Sequence, residues 1–185
     1  MKAAIVYYSA SGNTAKVGEA IARTLRDALP GSDGEGTVRD ANDVIVGPLG
    51  EAPSLDDRDL VFVGMPIERF GAPEPAARYL AEECAGRRVA LFVTHAAPED
   101  IDEVQPWLEA CEEAAAGTEL VGFFHCQGQL ATPVREAMLA SGMPALVSFA
   151  ELADCAAGQP DEVALDRAAS FARETAARVS ALARV

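Results

Sequence analysis

Short apolar runs alternate with longer amphipathic segments along most of the chain. Runs that are apolar throughout and end at turn-forming residues are typical of parallel strands buried on both faces. Four such runs are Ala3–Tyr8, Leu60–Gly64, Val89–Val93 and Leu120–Phe124. A fifth strand has two candidates, Thr37–Arg39 and Asp43–Val46, of which we favour the second.

Between these runs, apolar residues recur at helical spacing. Five helices are predicted, with punctuation by Pro, Gly and capping residues at several of their ends. They run from Asn13 to Leu29, through Ala76–Cys84, through Trp107–Ala115, from Thr132 to a stop at Gly142, and from a cap at Asp161 to Leu182.

Strands that alternate with helices of this length favour right-handed βαβ crossovers. The predicted fold is therefore a single α/β domain over residues 1–185, a three-layer α/β/α sandwich around a five-stranded parallel sheet. In such folds, ligands bind outside the carboxyl ends of the strands, near the point where the strand order reverses. Three loops are expected there: Ser9–Thr14, Gly64–Pro75 and Thr94–Asp100.

Charge narrows the class of partner. The formal net charge is −14, and Lys2 and Lys16 are the only lysines. A chain this acidic repels nucleic-acid phosphates and anionic membrane surfaces. We therefore expect neither as a partner. The charge has two explanations, solubility alone or an acidic docking face for a basic partner.

The compartment is predicted from what the sequence lacks. No apolar run approaches the roughly 20 residues of a membrane span, and the stretch after Met1 breaks at Ser9 before it reaches signal-peptide length. The cysteines are widely spaced, without a C-x-x-C pair, so we expect buried free thiols, no metal site and a cytoplasmic protein. These cysteines are Cys84, Cys111, Cys126 and Cys155.

The loop Ser9–Thr14 carries the most specific chemistry. It places three hydroxyls and a glycine before a fresh helix N-terminus, where free N–H groups and the helix dipole attract anions. The loop matches neither the P-loop nor the dinucleotide motif, which disfavours ATP and NAD. An ordinary helix cap with serines by chance is the alternative.

This loop and its strand, Ile5–Thr14, resemble the flavodoxin family, which has a [ST]-x-[ST]-G-x-T loop directly after an apolar first strand. Four further segments are similar to later parts of flavodoxin-like domains. They are Phe62–Ile67, Ala90–Thr94, Phe124–Gly128 and Gln159–Glu162.

The resemblance implies flavin mononucleotide (FMN) as the cofactor. Its phosphate would be held by the first loop, with Ala10 contributing its backbone N–H. The phosphate residues so implied are Ser9, Ala10, Ser11, Gly12, Asn13 and Thr14. The isoalloxazine ring would lie between two later loops, represented by Pro66, Ile67, Phe70, Gly71 and Ala72 and by Thr94, His95, Ala96 and Ala97. Gly71 is a candidate for the peptide that reorients toward reduced flavin.

The chain departs from the family pattern in its aromatic residues. The second ring loop has no Trp or Tyr, the first has only Phe70, and we interpret Trp107 as a core residue of its helix. Weaker stacking would leave one face of the ring open. His95 is a candidate acid–base residue, with a hydrogen-bonded structural histidine as the alternative, and His125 is predicted to be structural.

Three functions follow. The resemblance and the charge favour an FMN-binding redox protein that carries electrons to a partner oxidoreductase with a basic docking face. An open ring face would suit an FMN-dependent reductase of a quinone or another conjugated small molecule. A flavodoxin-fold binding protein that has lost FMN is the third possibility.

Overall fold

The computed structural model describes residues 1–28, 43–51 and 54–182. Its strands are β1 Ala3–Tyr7, β2 Val44–Pro48, β3 Leu60–Pro66, β4 Arg88–His95 and β5 Glu119–Gln127. Its helices are α1 Asn13–Ala28, α2 Glu74–Glu83, α3 Gln105–Glu113, α4 Thr132–Ala140, α5 Pro144–Leu152 and α6 Glu162–Leu182. Short 3₁₀ turns lie at Leu49–Glu51, Asp102–Val104 and Ala153–Ala156.

The strands form one parallel sheet in the order β2-β1-β3-β4-β5. β1 pairs with β2 on one side, Ala3 opposite Val44, and with β3 on the other, Ala3 opposite Leu60. This confirms the five-stranded α/β prediction and the choice of Asp43–Val46 for the second strand. The alternative, Thr37–Arg39, and the predicted end of the first helix at Leu29 lie outside the described residues.

Alternate residues of each buried strand feed two apolar layers. Ile5 and Phe62 pack with α1 and α6 on one face, and Val6 and Val63 pack with α2 and α3 on the other. Because side chains of a strand alternate between faces, a strand covered on both sides must be apolar at every position. This burial explains why uninterrupted apolar runs marked the strands.

The segment between α4 and α6 differs from the prediction. α4 ends before Gly142, whose φ of +65° suits a helix stop, but a further helix, α5, and a 3₁₀ turn follow. The sequence of α5 is mostly apolar and lacks a polar face, so it shows no amphipathic period. Phe149 packs its ring 6.2 Å from that of Trp107, which anchors α5 to α3.

All cysteines are free, and burial raises the pKa of three of their thiols, Cys84, Cys111 and Cys126, to about 12. The expectation that every thiol is buried is wrong for Cys155, which is exposed on the 3₁₀ turn after α5. No helix among the described residues is long and apolar enough to cross a bilayer.

Substitution of Gly64 measures how tightly the sheet packs at this position. A Cβ at this position would overlap the ring of Phe92 on the neighbouring strand. We expect Gly64→Ala to lower the free energy of unfolding by about 1–3 kcal/mol, since overpacked cores must shift side chains or backbone. Urea denaturation measures the change.

Gly47→Ala is the matched control, because a Cβ on β2 at Gly47 meets no atom within 4 Å. It should change the free energy of unfolding by much less. Equal stability losses in the two variants would contradict the packing explanation.

Candidate functional site

The carboxyl ends of β1, β3, β4 and β5 meet at one edge of the sheet. Backbone hydrogen bonds continue the pairing beyond the strand ends, so the loops that follow are packed side by side. These bonds are Tyr8 N–H to Gly64 O (2.9 Å), Ile67 N–H to Thr94 O (2.8 Å) and Gly128 N–H to His95 O (2.8 Å). Because β2 and β3 flank β1, the chain order reverses between β1 and β3, where open α/β sheets bind ligands.

Gly12 gives the turn into α1 its backbone conformation. Its φ is +90°, a conformation that glycine adopts without strain, and a Cβ there would meet nothing within 4 Å. The Gly12 carbonyl accepts the first helical hydrogen bond, from Lys16 N–H at 3.0 Å. The Ser9 hydroxyl accepts from Ala15 N–H at 3.3 Å and so caps the third helical residue.

Four backbone N–H groups at this helix start have no acceptor among the described residues. They belong to Ser11, Gly12, Asn13 and Thr14. The exposed Ser11 hydroxyl likewise has no described partner. Unpaired donors at the positive end of a helix dipole form an anion site, so the predicted phosphate loop has the donors that it needs.

The side chains of Asn13 and Thr14 hold this loop in place. Asn13 Nδ2 donates to Gln129 O at 2.7 Å, in the loop after β5. The Thr14 hydroxyl is buried and lies 2.9 Å from the hydroxyl of Thr94 at the end of β4. The two residues are thus at the predicted site, but both side chains already have protein partners.

The first predicted ring loop turns sharply after Ile67. Glu68 and Gly71 exchange backbone hydrogen bonds of 3.0 and 3.1 Å around Arg69 and Phe70, whose φ angles are +49° and +68°. Two central residues at positive φ are the pattern of a type I′ turn, which usually takes Asn or Gly. The left-handed positions are therefore Arg69 and Phe70 rather than Gly71, the residue that the sequence favours for peptide flexibility.

This turn rests on α3. The Phe70 ring is 66% exposed and lies 5.3 Å from the Trp107 ring, and a Cβ at Gly71 would lie 3.4 Å from Ala110. Trp107 is only half-buried and lies between Phe70, whose ring is tilted to it, and Phe149, which meets it edge to face. The interpretation of Trp107 as a core residue is therefore incomplete, because it also supports the first predicted ring loop.

His95 ends β4 and is buried, with both ring nitrogens hydrogen-bonded. Nδ1 lies 2.9 Å from Ala97 O, and Nε2 lies 3.1 Å from Nδ1 of His125 on β5. A carbonyl only accepts, so the proton of neutral His95 is on Nδ1, and His125 donates to its Nε2. This pairing fits the structural reading of both histidines, because it leaves His95 no free nitrogen for a ligand.

The environment keeps this pair neutral at pH 7. Burial, and then the neighbouring charge of His125, lowers the pKa of His95 from 6.5 to about 4. Burial also lowers the pKa of His125. The pair therefore orients the second predicted ring loop through Ala97 without adding positive charge to it.

Glu99 is a site residue that the sequence did not reveal. Its carboxylate accepts two bonds from Arg167 of α6, at 2.7 and 2.8 Å, and one from Gln127 N–H at 2.9 Å. Burial raises the pKa of Glu99, but the hydrogen bonds from Arg167 and Gln127 outweigh it, so the net pKa is lowered. No local spacing could have signalled a pair separated by so much of the chain.

The Pro66–Ala72 and Thr94–Ala97 residues thus lie on adjacent strand ends beside the Ser9–Thr14 loop, as predicted. A family model described as "Flavodoxin domain" matches residues 4–173. The chain belongs to the flavodoxin family. Family membership supports FMN as the cofactor that the sequence resemblance implies. No curated protein matches the sequence.

Solved structures of flavodoxins share the whole fold. A flavodoxin from the domain Archaea is 16% identical, with a TM-score of 0.56 and coverage of 97% of this chain and 99% of that one. The flavodoxin of Streptococcus pneumoniae TIGR4 is 17% identical, with a TM-score of 0.58 and coverage of 96% and 99%. The Flv1 flavodiiron core from Synechocystis sp. PCC6803 is 15% identical, with a TM-score of 0.55. The match covers 98% of this chain and 36% of that larger chain.

The buried histidine makes stability depend on pH. Between pH 6.5 and about 4, the unfolded chain binds a proton at residue 95 that the folded chain excludes, so the free energy of unfolding falls as the pH is lowered. We expect His95→Asn to reduce this fall by up to about 3 kcal/mol, which is the shift expressed as free energy. Urea denaturation at a series of pH values measures it.

Gln127→Leu is the control, because it removes a bond to the same loop, Gln127 Nε2 to Ala96 O, without removing a titrating group. Its pH dependence should follow the wild type. If His95→Asn also follows the wild type, the assignment of a depressed pKa to His95 is wrong.

Proposed function

We propose that this flavodoxin-family protein binds FMN and carries electrons to a partner oxidoreductase. The observation that carries the proposal is the set of unpaired N–H groups, with the free Ser11 hydroxyl, at the start of α1 beside the strand-order reversal. The open space at Gly12 suits close approach of a phosphate. When bound, FMN supplies one- and two-electron redox chemistry.

Each side chain of the cradle has a distinct part in this proposal. The Ser11 hydroxyl donates a hydrogen bond to the phosphate. The Ser9 hydroxyl caps the helix by accepting from Ala15 N–H. The side chains of Asn13 and Thr14 act through their bonds to Gln129 and Thr94, which fix the loop, while their backbone N–H groups face the anion. The loop therefore binds a phosphate without a lysine.

The remaining predicted residues flank the ring in this proposal. Pro66, Ile67, Phe70, Gly71 and Ala72 form one side, and Thr94, His95, Ala96 and Ala97 form the other. The Thr94–Ala97 side carries no Trp or Tyr, so its contribution is backbone polarity and packing rather than stacking. The His95–His125 pair keeps this side in one conformation and neutral.

Exposed acids around these loops support docking of a basic partner. Glu68 lies in the first ring loop, and Asp100, Asp102 and Glu103 lie between β4 and α3, all solvent-exposed. Complementary charge speeds the encounter of electron-transfer partners. We include a cytoplasmic location in the proposal, since four free thiols suit a reducing compartment.

The phosphate site is tested with two flavins. We expect Ser11→Ala to weaken FMN binding about tenfold, the effect of losing one hydrogen bond to a charged group. Riboflavin, which lacks the phosphate, should bind the variant and the wild type equally. Quenching of flavin fluorescence on titration with apoprotein gives both dissociation constants.

The control is Ser148→Ala, an exposed serine on α5, which should change neither constant. Equal weakening of FMN and riboflavin by Ser11→Ala would contradict the phosphate role. Absence of any FMN binding by the wild type would contradict the proposal itself and leave the third function, a binding protein without flavin.

The carrier role is tested with reduced, FMN-loaded protein and cytochrome c as a basic acceptor. We expect the second-order rate constant, measured by stopped flow, to fall several-fold as ionic strength rises from about 0.01 to about 0.1 M. The variant Asp102→Asn/Glu103→Gln should lower the rate at low salt more than the control Glu19→Gln/Asp27→Asn on α1.

A rate that ignores both salt and the loop variant would contradict the acidic docking face. Rapid oxidation of NADH by the protein with menadione, in the absence of any partner, would instead favour the reductase of quinones.

A further inference from the structure

A groove lies between β5 and α6. Phe123, Phe124 and His125 line it on the strand, and α6 lines it from Val163 to Glu174. Its volume is about 580 Å³. We call it the β5–α6 groove. None of its lining residues belongs to the proposed FMN loops, so a ligand could bind the groove whether or not FMN is bound.

β5 is an edge strand whose pairing with β4 shifts once, at Val121, and is regular from Gly122 to Gln127. It has nine residues and, among the described strands, pairs only with β4. From Leu120 to Cys126 it carries no formal charge and no proline. Proteins ordinarily protect long edge strands with lysines, prolines or covering elements, because an open edge pairs with other chains.

Hydrogen-bonding groups of β5 face outward. Gly128 N–H bonds to His95 O of β4, and alternate residues of a strand point their backbone groups in opposite directions. The backbone groups of Phe123, His125 and Gln127 therefore point away from β4. The Glu99 carboxylate takes the Gln127 N–H at 2.9 Å, which leaves Phe123 and His125 open.

The floor of the groove is aromatic. The rings of Phe124 and Phe171 stack with centroids 5.5 Å apart, and the Arg167 guanidinium carbon lies 5.9 Å from the Phe124 centroid. All three side chains remain partly exposed. An apolar side chain that enters the groove would bury this surface.

The walls of the groove are acidic. Asp166 and Glu174 are exposed and have no ion-pair partner among the described residues, whereas Arg167 is engaged by Glu99. The groove therefore attracts cations. The two acids lie eight residues apart on α6, about 12 Å along a helix, which is close to the roughly 13 Å between positions i and i+4 of a strand.

A second copy of this chain fits the groove poorly. Antiparallel pairing of two β5 edges about a twofold axis leaves both α6 helices on the same face, with their acidic walls side by side. Each chain also carries a net charge of −14. A basic partner has neither disadvantage.

We propose that the β5–α6 groove binds an extended segment of a partner protein as a sixth strand. The segment has the pattern basic–x–apolar–x–basic. Its backbone bonds to Phe123 and His125, its apolar side chain covers Phe124 and Phe171, and its two cations face Asp166 and Glu174.

The probe is a fluorescein-labelled peptide, Thr-Lys-Thr-Val-Thr-Lys-Thr, with a peptide of the same composition and adjacent lysines as the reference. We expect the first peptide to bind the full chain about fivefold more tightly than the reference by fluorescence anisotropy, since two ion pairs contribute roughly 1 kcal/mol. Hydrogen exchange should slow at the amides of Phe123 and His125.

Asp166→Lys/Glu174→Lys should abolish this binding and instead favour Thr-Glu-Thr-Val-Thr-Glu-Thr. The control Glu19→Lys/Asp27→Lys makes the same charge change at the same spacing on exposed positions of α1 and should retain the original preference. Circular dichroism and urea denaturation verify that both variants fold.

Three outcomes would overturn the proposal. Equal loss of binding in the two charge variants would mean general attraction to an acidic chain. Failure of the lysine peptide to bind better than its reference would remove the spacing argument. Slow exchange at Phe123 and His125 without peptide, together with a dimer in sedimentation velocity, would assign the edge to a second copy of this chain.

Discussion

Pairing of β1 with β3, from Ala3 opposite Leu60 to Tyr7 opposite Gly64, makes β1 end two residues before β3, which continues to Pro66. β2 lies on the other side of β1, so the chain continues from β1 to one side of the sheet and from β3 to the other. α1 begins at the boundary between β1 and β3. A slip of one residue would send Ile5 and Val6 to the wrong layers, so burial on both faces fixes the register. The position of the proposed phosphate loop is thus a consequence of core packing.

The same geometry explains how an acidic chain can bind an anion. A net charge of −14 repels a phosphate at long range, but salt screens charges beyond roughly 8–10 Å at physiological ionic strength. At contact, the N–H groups of Ser11, Gly12, Asn13 and Thr14 and the helix dipole determine the local field. Short-range donors for an anion and a long-range negative field therefore coexist in one chain.

What the sequence predicts well is what burial and local turn chemistry determine. The apolar runs predict the strands because both faces of the sheet are covered. Gly12 and Asp161 lie directly before the first residues of α1 and α6. Asp161 Oδ1 accepts from Ala164 N–H at 2.9 Å, as an N-cap does. Strand ends are predicted less well. β5 continues from Phe124 to Gln127, because His125, Cys126 and Gln127 stay in register with the end of β4.

Other features depend on contacts between distant residues, which no local pattern contains. The His95–His125 bond requires that β4 and β5 be neighbours in a particular register, Val93 opposite His125. The left-handed Arg69 and Phe70 follow from the mutual bonds of Glu68 and Gly71, although residues of these types rarely adopt that conformation. α5 has no amphipathic period to predict it, and its Phe149 is placed by its contact with Trp107 of α3.

The Glu99–Arg167 pair lies between the proposed flavin loops and the proposed β5–α6 groove. On one side, Glu99 follows the second ring loop and ties it to α6 through two hydrogen bonds. On the other, its carboxylate covers the last outward N–H of β5, at Gln127. The pair therefore closes the edge strand only at its carboxyl end, beside the flavin loops. The outward backbone groups of Phe123 and His125, which have no described partner, begin where this pair ends, so the pair separates the proposed cofactor end from the open edge.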